Sequence, residues 1–229
     1  MILSHKHRFI FVKTNKTAGT SIEIALSRFC GDDDIITPIT PQDETLRNSL
    51  GCRGPQNYLA PLWDYGMKDI RSLLRLKRKM RYHNHMPARE IKDRVGEKIW
   101  SDYYKFCFER HPYERLVSLY YWRHQQEPRP TIEQFLKTGL PLLLKKKGFD
   151  LYTIDGEIAV NRVYLFETLE EGLEDLRLRL QLPGKLELPR AKASYRKDRR
   201  DARQILTDEE RAHIRTLFSQ EISLFGYEV

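Results

Sequence analysis

The stretch Phe9-Ile-Phe-Val-Lys-Thr-Asn-Lys-Thr-Ala-Gly-Thr-Ser-Ile22 runs from a short apolar strand through a turn of small residues into a helix. This order gathers the backbone N–H groups of Thr17, Ala18, Gly19 and Thr20 at the positive end of a helix, with the Lys16 ammonium beside them. The chemistry that suits such a turn is the binding of an anion, phosphate above all. A Walker A loop, G-x-x-x-x-G-K-[ST], places its lysine after the glycines and a magnesium-binding hydroxyl next to it. Here Lys16 comes first and Gly19 later. A polar helix start after a strand also arises without any ligand, so other residues must decide between the two readings.

A second motif spans residues 104 to 122, Tyr-Lys-Phe-Cys-Phe-Glu-Arg-His-Pro-Tyr-Glu-Arg-Leu-Val-Ser-Leu-Tyr-Tyr-Trp. It is again an apolar strand, a Pro-containing turn and an amphipathic helix. Arg110 stands at the strand end and Ser118 about two turns into the helix, a separation at which a guanidinium fork and a hydroxyl converge on a phosphate. Lys13 reads equally as a surface charge or a secondary phosphate contact. Just before this motif lies Tyr82-His-Asn-His-Met-Pro87. On an extended segment an H-x-H pair points both imidazoles, His83 and His85, to one side, which suits metal ligation or acid/base work. No further Cys, His or carboxylate cluster completes a metal site, and Cys30, Cys52 and Cys107 form no C-x-x-C pair.

Taken together, N-K-T-A-G-T-S and R-H-P-Y-E-R-L-V-S resemble the two nucleotide-binding motifs of sulfotransferases that use 3′-phosphoadenosine 5′-phosphosulfate (PAPS). The likeness is closest to the carbohydrate type that includes the uronyl 2-O-sulfotransferases. It extends through the order of elements to the C-terminal Leu-Phe-Gly-Tyr227 and leaves residues 31 to 80 unplaced. The resemblance implies that Lys16, Thr17, Ala18, Gly19, Thr20 and Ser21 hold the 5′-phosphosulfate, and that Arg110 and Ser118 hold the 3′-phosphate. The second histidine of the family's H-x-H serves as base, which falls here on His85 and leaves His83 to orient substrate. A family loop that closes over the nucleotide corresponds to Pro189 to Arg200, with Lys192, Ser194 and Arg196 as phosphate contacts. The expected reaction moves a sulfuryl group to a hydroxyl acceptor, a carbohydrate by the same resemblance, and releases adenosine 3′,5′-bisphosphate (PAP) without a metal.

Sulfuryl transfer needs a base for the acceptor hydroxyl and a cation for the charge that builds on the donor's bridging oxygen, and Lys16 fits the second role. A neutral imidazole is required of the base, so activity is expected to fall as pH drops through the imidazole reference value of about 6.5. Two other functions compete. A P-loop nucleotide kinase or other P-loop phosphotransferase is opposed by the misplaced lysine and by the lack of a clear Walker B carboxylate after an apolar strand. A non-catalytic polyanion-binding protein would draw on the basic balance of the chain, 40 Lys and Arg against 32 Asp and Glu, a net charge of +8.

Elements must position these groups. Strands are predicted at 8 to 13, 104 to 109 and 163 to 166, and helices at 20 to 29 (capped by Thr20 or Ser21), 69 to 80, 112 to 124, 131 to 138, 168 to 181 and 207 to 223. Asp155-Gly156 marks a hairpin turn within 152 to 160, and Thr207-Asp-Glu-Glu a capping box. Residues 31 to 66, rich in Asp, Pro, Gly and Asn, read as a long irregular excursion with short helical turns that suits acceptor specificity. The alternation implies an α/β fold of one domain over residues 1 to 229. Its expected form is a three-layer α/β/α arrangement with a mostly parallel central sheet and a P-loop-like phosphosulfate-binding turn, ligands lying at the carboxyl ends of the strands. The run Phe9 to Val12 is too short for a signal-peptide core or a membrane span, so no membrane or nucleic-acid partner and a cytosolic location are expected.

Overall fold

The computed structural model describes residues 1–59, 81–189, 196, 198 and 200–228. The helix expected at 69 to 80, the end of the irregular excursion, Lys192 and Ser194 lie outside the described residues. The main sheet has five strands in the order β3 (Ile35–Ile36), β1 (Ile2–Ser4), β2 (Phe9–Phe11), β4 (Tyr104–Glu109), β7 (Arg162–Leu165). The pairs β2–β4 and β4–β7 are parallel, whereas β1 pairs antiparallel with both β2 and β3. The sheet is therefore mixed. Its parallel half carries the two anion motifs, and its antiparallel edge is built by the N-terminal residues. That edge corrects the reading of the segment at 8 to 13 as the first strand. Ile2–Ser4 is too short to show a period of its own, and it becomes a strand only by pairing with Phe9–Phe11.

Side-chain alternation along the central strands sets the layers. Phe9, Phe11, Phe106 and Phe108 enter one apolar cluster, while Ile10, Val12 and Cys107 enter another, as a period of two requires. The first cluster is closed by Ile22, Ala25 and Leu26 of α1 (Gly19–Ser27) and Leu176 of α7 (Leu169–Arg179). The second is closed by Ala88, Ile91 and Trp100 of α3 (Ala88–Asp102) together with Leu151 and Tyr152. Strands covered on both faces read as continuous apolar runs, which is how Phe9 to Val12 and Phe106 to Phe108 appear. A third cluster joins α4 (Pro112–Arg123), α5 (Ile132–Leu136) and α6 (Gly139–Phe149) to the C-terminal helices α8 (Ala202–Ile205), α9 (Asp208–Leu217) and α10 (Ser219–Phe225).

Within the stretch expected to be irregular, α2 (Pro41–Ser49) forms with Pro at its first position and a Thr40 side chain accepting from the N–H of Asp43. Helices α3 and α6 are also absent from the sequence reading. Gly96 at φ 79° interrupts the apolar period of the first, and Pro141 and Gly148 punctuate the second. The single helix expected at 207 to 223 is two, because buried Phe218 (φ −110°, ψ 27°) breaks it after a capping box of Thr207 and Glu210. Asp155 and Gly156 turn the hairpin of β5 (Thr153–Ile154) and β6 (Glu157–Ile158) with φ of 55° and 86°, the signs a type I′ turn needs.

Candidate functional site

Strands β2 and β4 run side by side in parallel, with Phe11 opposite Phe106, so the turns that follow them leave the sheet at the same edge. The first turn is pinned to β4. Thr14 Oγ1 donates to the carbonyl of Phe108, which leaves Thr17 Oγ1, 2.7 Å away, to donate to Thr14. Lys16 and Ala18 both take left-handed backbone angles, φ 65° and 59°, which residues other than glycine adopt at a cost. Helix α1 begins directly after Ala18, whose side chain provides no cap. Thr20 and Ser21 lie inside its first turn and do not cap it, which corrects the sequence expectation. Gly19 is required by close approach, since a Cβ there would lie 2.9 Å from Lys13 Cγ and 3.3 Å from the Thr14 carbonyl oxygen.

The second motif starts its helix with a histidine cap. His111 Nδ1 accepts from the Tyr113 N–H at 3.2 Å while Nε2, 2.9 Å from the Glu228 carbonyl, must donate. Arg110, Glu114, Ser118 and Trp122 follow at four-residue intervals, which puts the three helical ones on one face of α4. The Arg110 guanidinium lies 4.2 Å from the centre of the Phe166 ring and donates from Nη2 to Glu114 Oε2 at 2.7 Å, while its Nε is buried with no partner among the described residues. One turn past Ser118, Trp122 is 39% exposed and carries the Lys16 ammonium 5.0 Å from its ring centre. This cation–π contact joins the two motifs.

His85 enters from a third segment. Its ring Nδ1 is 3.0 Å from the carbonyl oxygen of Lys13. A carbonyl only accepts, so Nδ1 carries the hydrogen and Nε2 is left with its lone pair. The side chain opens to solvent at the cleft, yet it is crowded by protein. Burial first, then the nearby Lys13 ammonium, push its pKa down to about 4 against the opposing pull of the Lys13 carbonyl. Lys13 lines the cleft, but its ammonium is committed to a carboxylate. Its Nζ is buried 2.6 Å from Glu23 Oε2, and Arg47 Nη2 reaches the other oxygen at 3.5 Å. Burial alone would raise the Glu23 pKa, but the Met1 α-amino group, Lys13 and Arg47 outweigh it and hold it below the ordinary value.

The expectation that both imidazoles point one way is wrong. His85 sits at φ 56°, so the segment is not extended there, and His83 turns out to Glu90, its Nε2 3.4 Å from the carboxylate. Asn84 takes the place beside His85 in the cleft wall. The cleft encloses about 740 Å³ and is lined by Lys16 to Ser21, His85, Arg110 and Ser118, all singled out by sequence, but not by His83. Arg196 is not in the wall. Its Nη1 is bound to Glu114 at 2.5 Å. Sequence reading missed Trp122, Phe166, Asn84, Glu23 and Glu114. Only the four-residue spacing of Glu114 and Trp122 with Ser118 could have signalled any of them. Among the described residues no group of three or more His, Cys, Asp or Glu side chains is placed to hold a metal ion, and no helix is long and apolar enough to cross a membrane.

Comparison with known proteins adds to this geometry. A model of the sulfotransferase family matches residues 1–147, a span that contains both anion motifs and His85. An uncharacterized protein of Archaeoglobus fulgidus is 32% identical over 108 residues, covering 45% of this chain and 88% of the relative. No solved structure matches the chain.

Proposed function

The chain belongs to the sulfotransferase family, and from that premise we propose that it transfers a sulfuryl group from PAPS to a hydroxyl of a carbohydrate, releasing PAP. The observation that carries this reading is the opening of both anion motifs and the His85 ring onto one cleft. The residues present fit such a donor. The turn at Gly19 has no room for a Cβ, Arg110 keeps a buried N–H with no partner among the described residues, and Ser118 lines the same cleft. Phe166, Leu119, Leu169 and Leu188 give the cleft an apolar wall of the kind a nucleoside base needs.

We read the turn as a P-loop-like cradle in which the N–H groups of Lys16 to Ser21 hold the 5′-phosphosulfate at the start of α1. Arg110 and Ser118 take the 3′-phosphate. The donor supplies the sulfuryl group on a phosphosulfate anhydride, which needs no metal. His85 Nε2 removes the acceptor proton as that oxygen forms its bond to sulfur. The bond from sulfur to the bridging oxygen breaks, and the Lys16 ammonium leaves the face of Trp122 to meet the charge on that oxygen. The Trp122 ring then presents an apolar surface for the C–H face of a sugar, beside Pro38 to Thr40 from the segment assigned to acceptor specificity. Lys192 and Ser194 remain assigned to the nucleotide, whereas Arg196, bound to Glu114, and His83, engaged by Glu90, both lie outside the cleft wall and are withdrawn from ligand contact.

Calorimetry with PAP in metal-free buffer tests the donor assignment. PAP should bind, and Arg110→Ala should cost about 1.5–3 kcal/mol of PAP binding but little for adenosine 5′-monophosphate (AMP), which lacks the 3′-phosphate. Ser118→Ala should cost about 0.5–1.5 kcal/mol on the same comparison. Absence of PAP binding, or magnesium-dependent turnover of ATP, would overturn the reading. Transfer assays with PAPS and a panel of neutral and acidic sugars then test the acceptor.

A further inference from the structure

Glu114 has no part in the reaction as described, yet its carboxylate holds the arginine assigned to the donor's 3′-phosphate. Its Oε2 accepts from Arg110 Nη2 at 2.7 Å and from Arg196 Nη1 at 2.5 Å, and its Oε1 accepts from the N–H of Ala202 at 2.8 Å. The three charged side chains are equally sheltered, at 18%, 18% and 19% exposure for Arg110, Glu114 and Arg196. One carboxylate oxygen thus links the arginine that follows β4 to an arginine far along the chain, on the basic stretch before α8. The guanidinium of Arg110 is held on its flat face by Phe166 and on one edge by Glu114, and its buried Nε has no partner among the described residues. Arg196 is fixed in turn by donating from Nε to the Asp198 carbonyl at 2.8 Å.

We propose that Glu114 is a positioning residue for donor recognition: it shares one oxygen between Arg110 and Arg196, and so holds the Arg110 fork at the cleft by anchoring it to the basic stretch before α8. The inference rests on the PAPS reading above. The Glu114 carboxylate, with Glu167 also close to Arg110, reduces the attraction for an anion while ordering the guanidinium that binds it. These two effects have opposite signs, and that makes the role testable. If charge decided, removal of Glu114 would tighten PAP binding. If position decides, it weakens it, because two unpaired guanidiniums repel one another and swing apart.

The test is calorimetry of the full chain with PAP and with AMP, for wild type, Glu114→Ala and Glu114→Gln. The expected result is a fall of about tenfold in PAP affinity for Glu114→Ala, as one charge-assisted contact is lost, with AMP affinity unchanged. Glu114→Gln keeps an oxygen for the Ala202 N–H but turns an NH₂ toward the arginines, so it should lose PAP affinity while retaining the thermal midpoint. It carries the test if the alanine variant fails to fold. PAP binding that is unchanged or tighter in a folded variant overturns the inference, as does an equal loss for AMP. Wild-type protein that does not bind PAP overturns the donor reading and this inference with it, whereas wild-type binding with an indifferent Glu114 overturns the inference alone.

Discussion

The pH dependence of turnover should separate this His85 from an ordinary histidine. Its pKa is pushed down to about 4, by burial first and then by the Lys13 ammonium, so the neutral base persists well into acid. At pH 5.5 a group with a pKa of about 4 is about 97% neutral, whereas one at the reference value of about 6.5 is only about 9% neutral. Turnover at pH 5.5 relative to pH 8 therefore differs roughly tenfold between the two cases. This revises the acid limb near 6.5 that the residue type alone implies. The assay is kcat at saturating PAPS and acceptor, from pH 4.5 to 8.5 at constant ionic strength, with circular dichroism at each pH. The fold should hold over this range as far as Glu23 and Asp34 are concerned. Both carboxylates have folded pKa values below their ordinary 4.5 and 3.8, so their stabilisation is complete above those values and is lost only as pH falls through the depressed ones. Lys13→Met keeps the carbonyl that orients the ring but removes the ammonium, so the acid limb should move up toward 6.5. The move should be partial, because burial remains. A wild-type limb near 6.5, or a limb that stays put in Lys13→Met, would refute the assignment of His85 as base in this environment.

Other perturbations follow from the same contacts. Gly19→Ala drives a methyl into Lys13 and Thr14, so denaturant unfolding should show a loss of about 1–3 kcal/mol, with weaker PAP binding by calorimetry; a neutral substitution would mean the turn is not packed as described. Glu23→Gln leaves Lys13 and Arg47 buried without their shared carboxylate and should cost about 3–5 kcal/mol in chemical denaturation at pH 7. Because the depressed Glu23 pKa makes its contribution vanish in acid, the gap between wild type and this variant should narrow as pH falls below 4.5; a gap independent of pH would contradict the pairing. His83→Ala should leave kcat and KM for donor and acceptor near wild type, since the ring is engaged by Glu90 outside the cleft; a large fall in kcat would return His83 to the chemistry.

What the sequence made legible is what depends on neighbours in the chain. The strand Tyr104–Glu109, the turn at Asp155-Gly156 and the capping box at Thr207 lie where local pattern puts them, because a period of two, a left-handed turn and a side-chain cap are each completed within a few residues. Strand β1 and helices α3 and α6 were not legible. Ile2–Ser4 acquires its conformation from partners across the sheet, and Gly96, Pro141 and Gly148 obscure helices that tertiary packing nonetheless supports. The H-x-H failed for a related reason. Its geometry was read on the assumption of extended backbone, and one left-handed residue, His85, sends the two rings to different surroundings.

The same limit governs the charges around the cleft. A lysine in a motif is read as available to a ligand, but Lys13 is committed to Glu23 and acts on the site through its carbonyl and its field at His85. Arg110 and Arg196 are both committed in part to Glu114, a residue whose role is invisible until the distant arginine arrives. The surplus of 8 positive charges in the sequence is therefore a poor measure of the free cationic charge at the site, since each buried cation there has a carboxylate of its own to share. In the function proposed, recognition of an anion in this cleft would depend on how backbone N–H groups and an oriented guanidinium are held, and less on the total charge of the chain. The electrostatic pull of a basic surface would act on any polyanion, whereas a constrained turn at Gly19 and a fork fixed between Phe166 and Glu114 select an anion by shape.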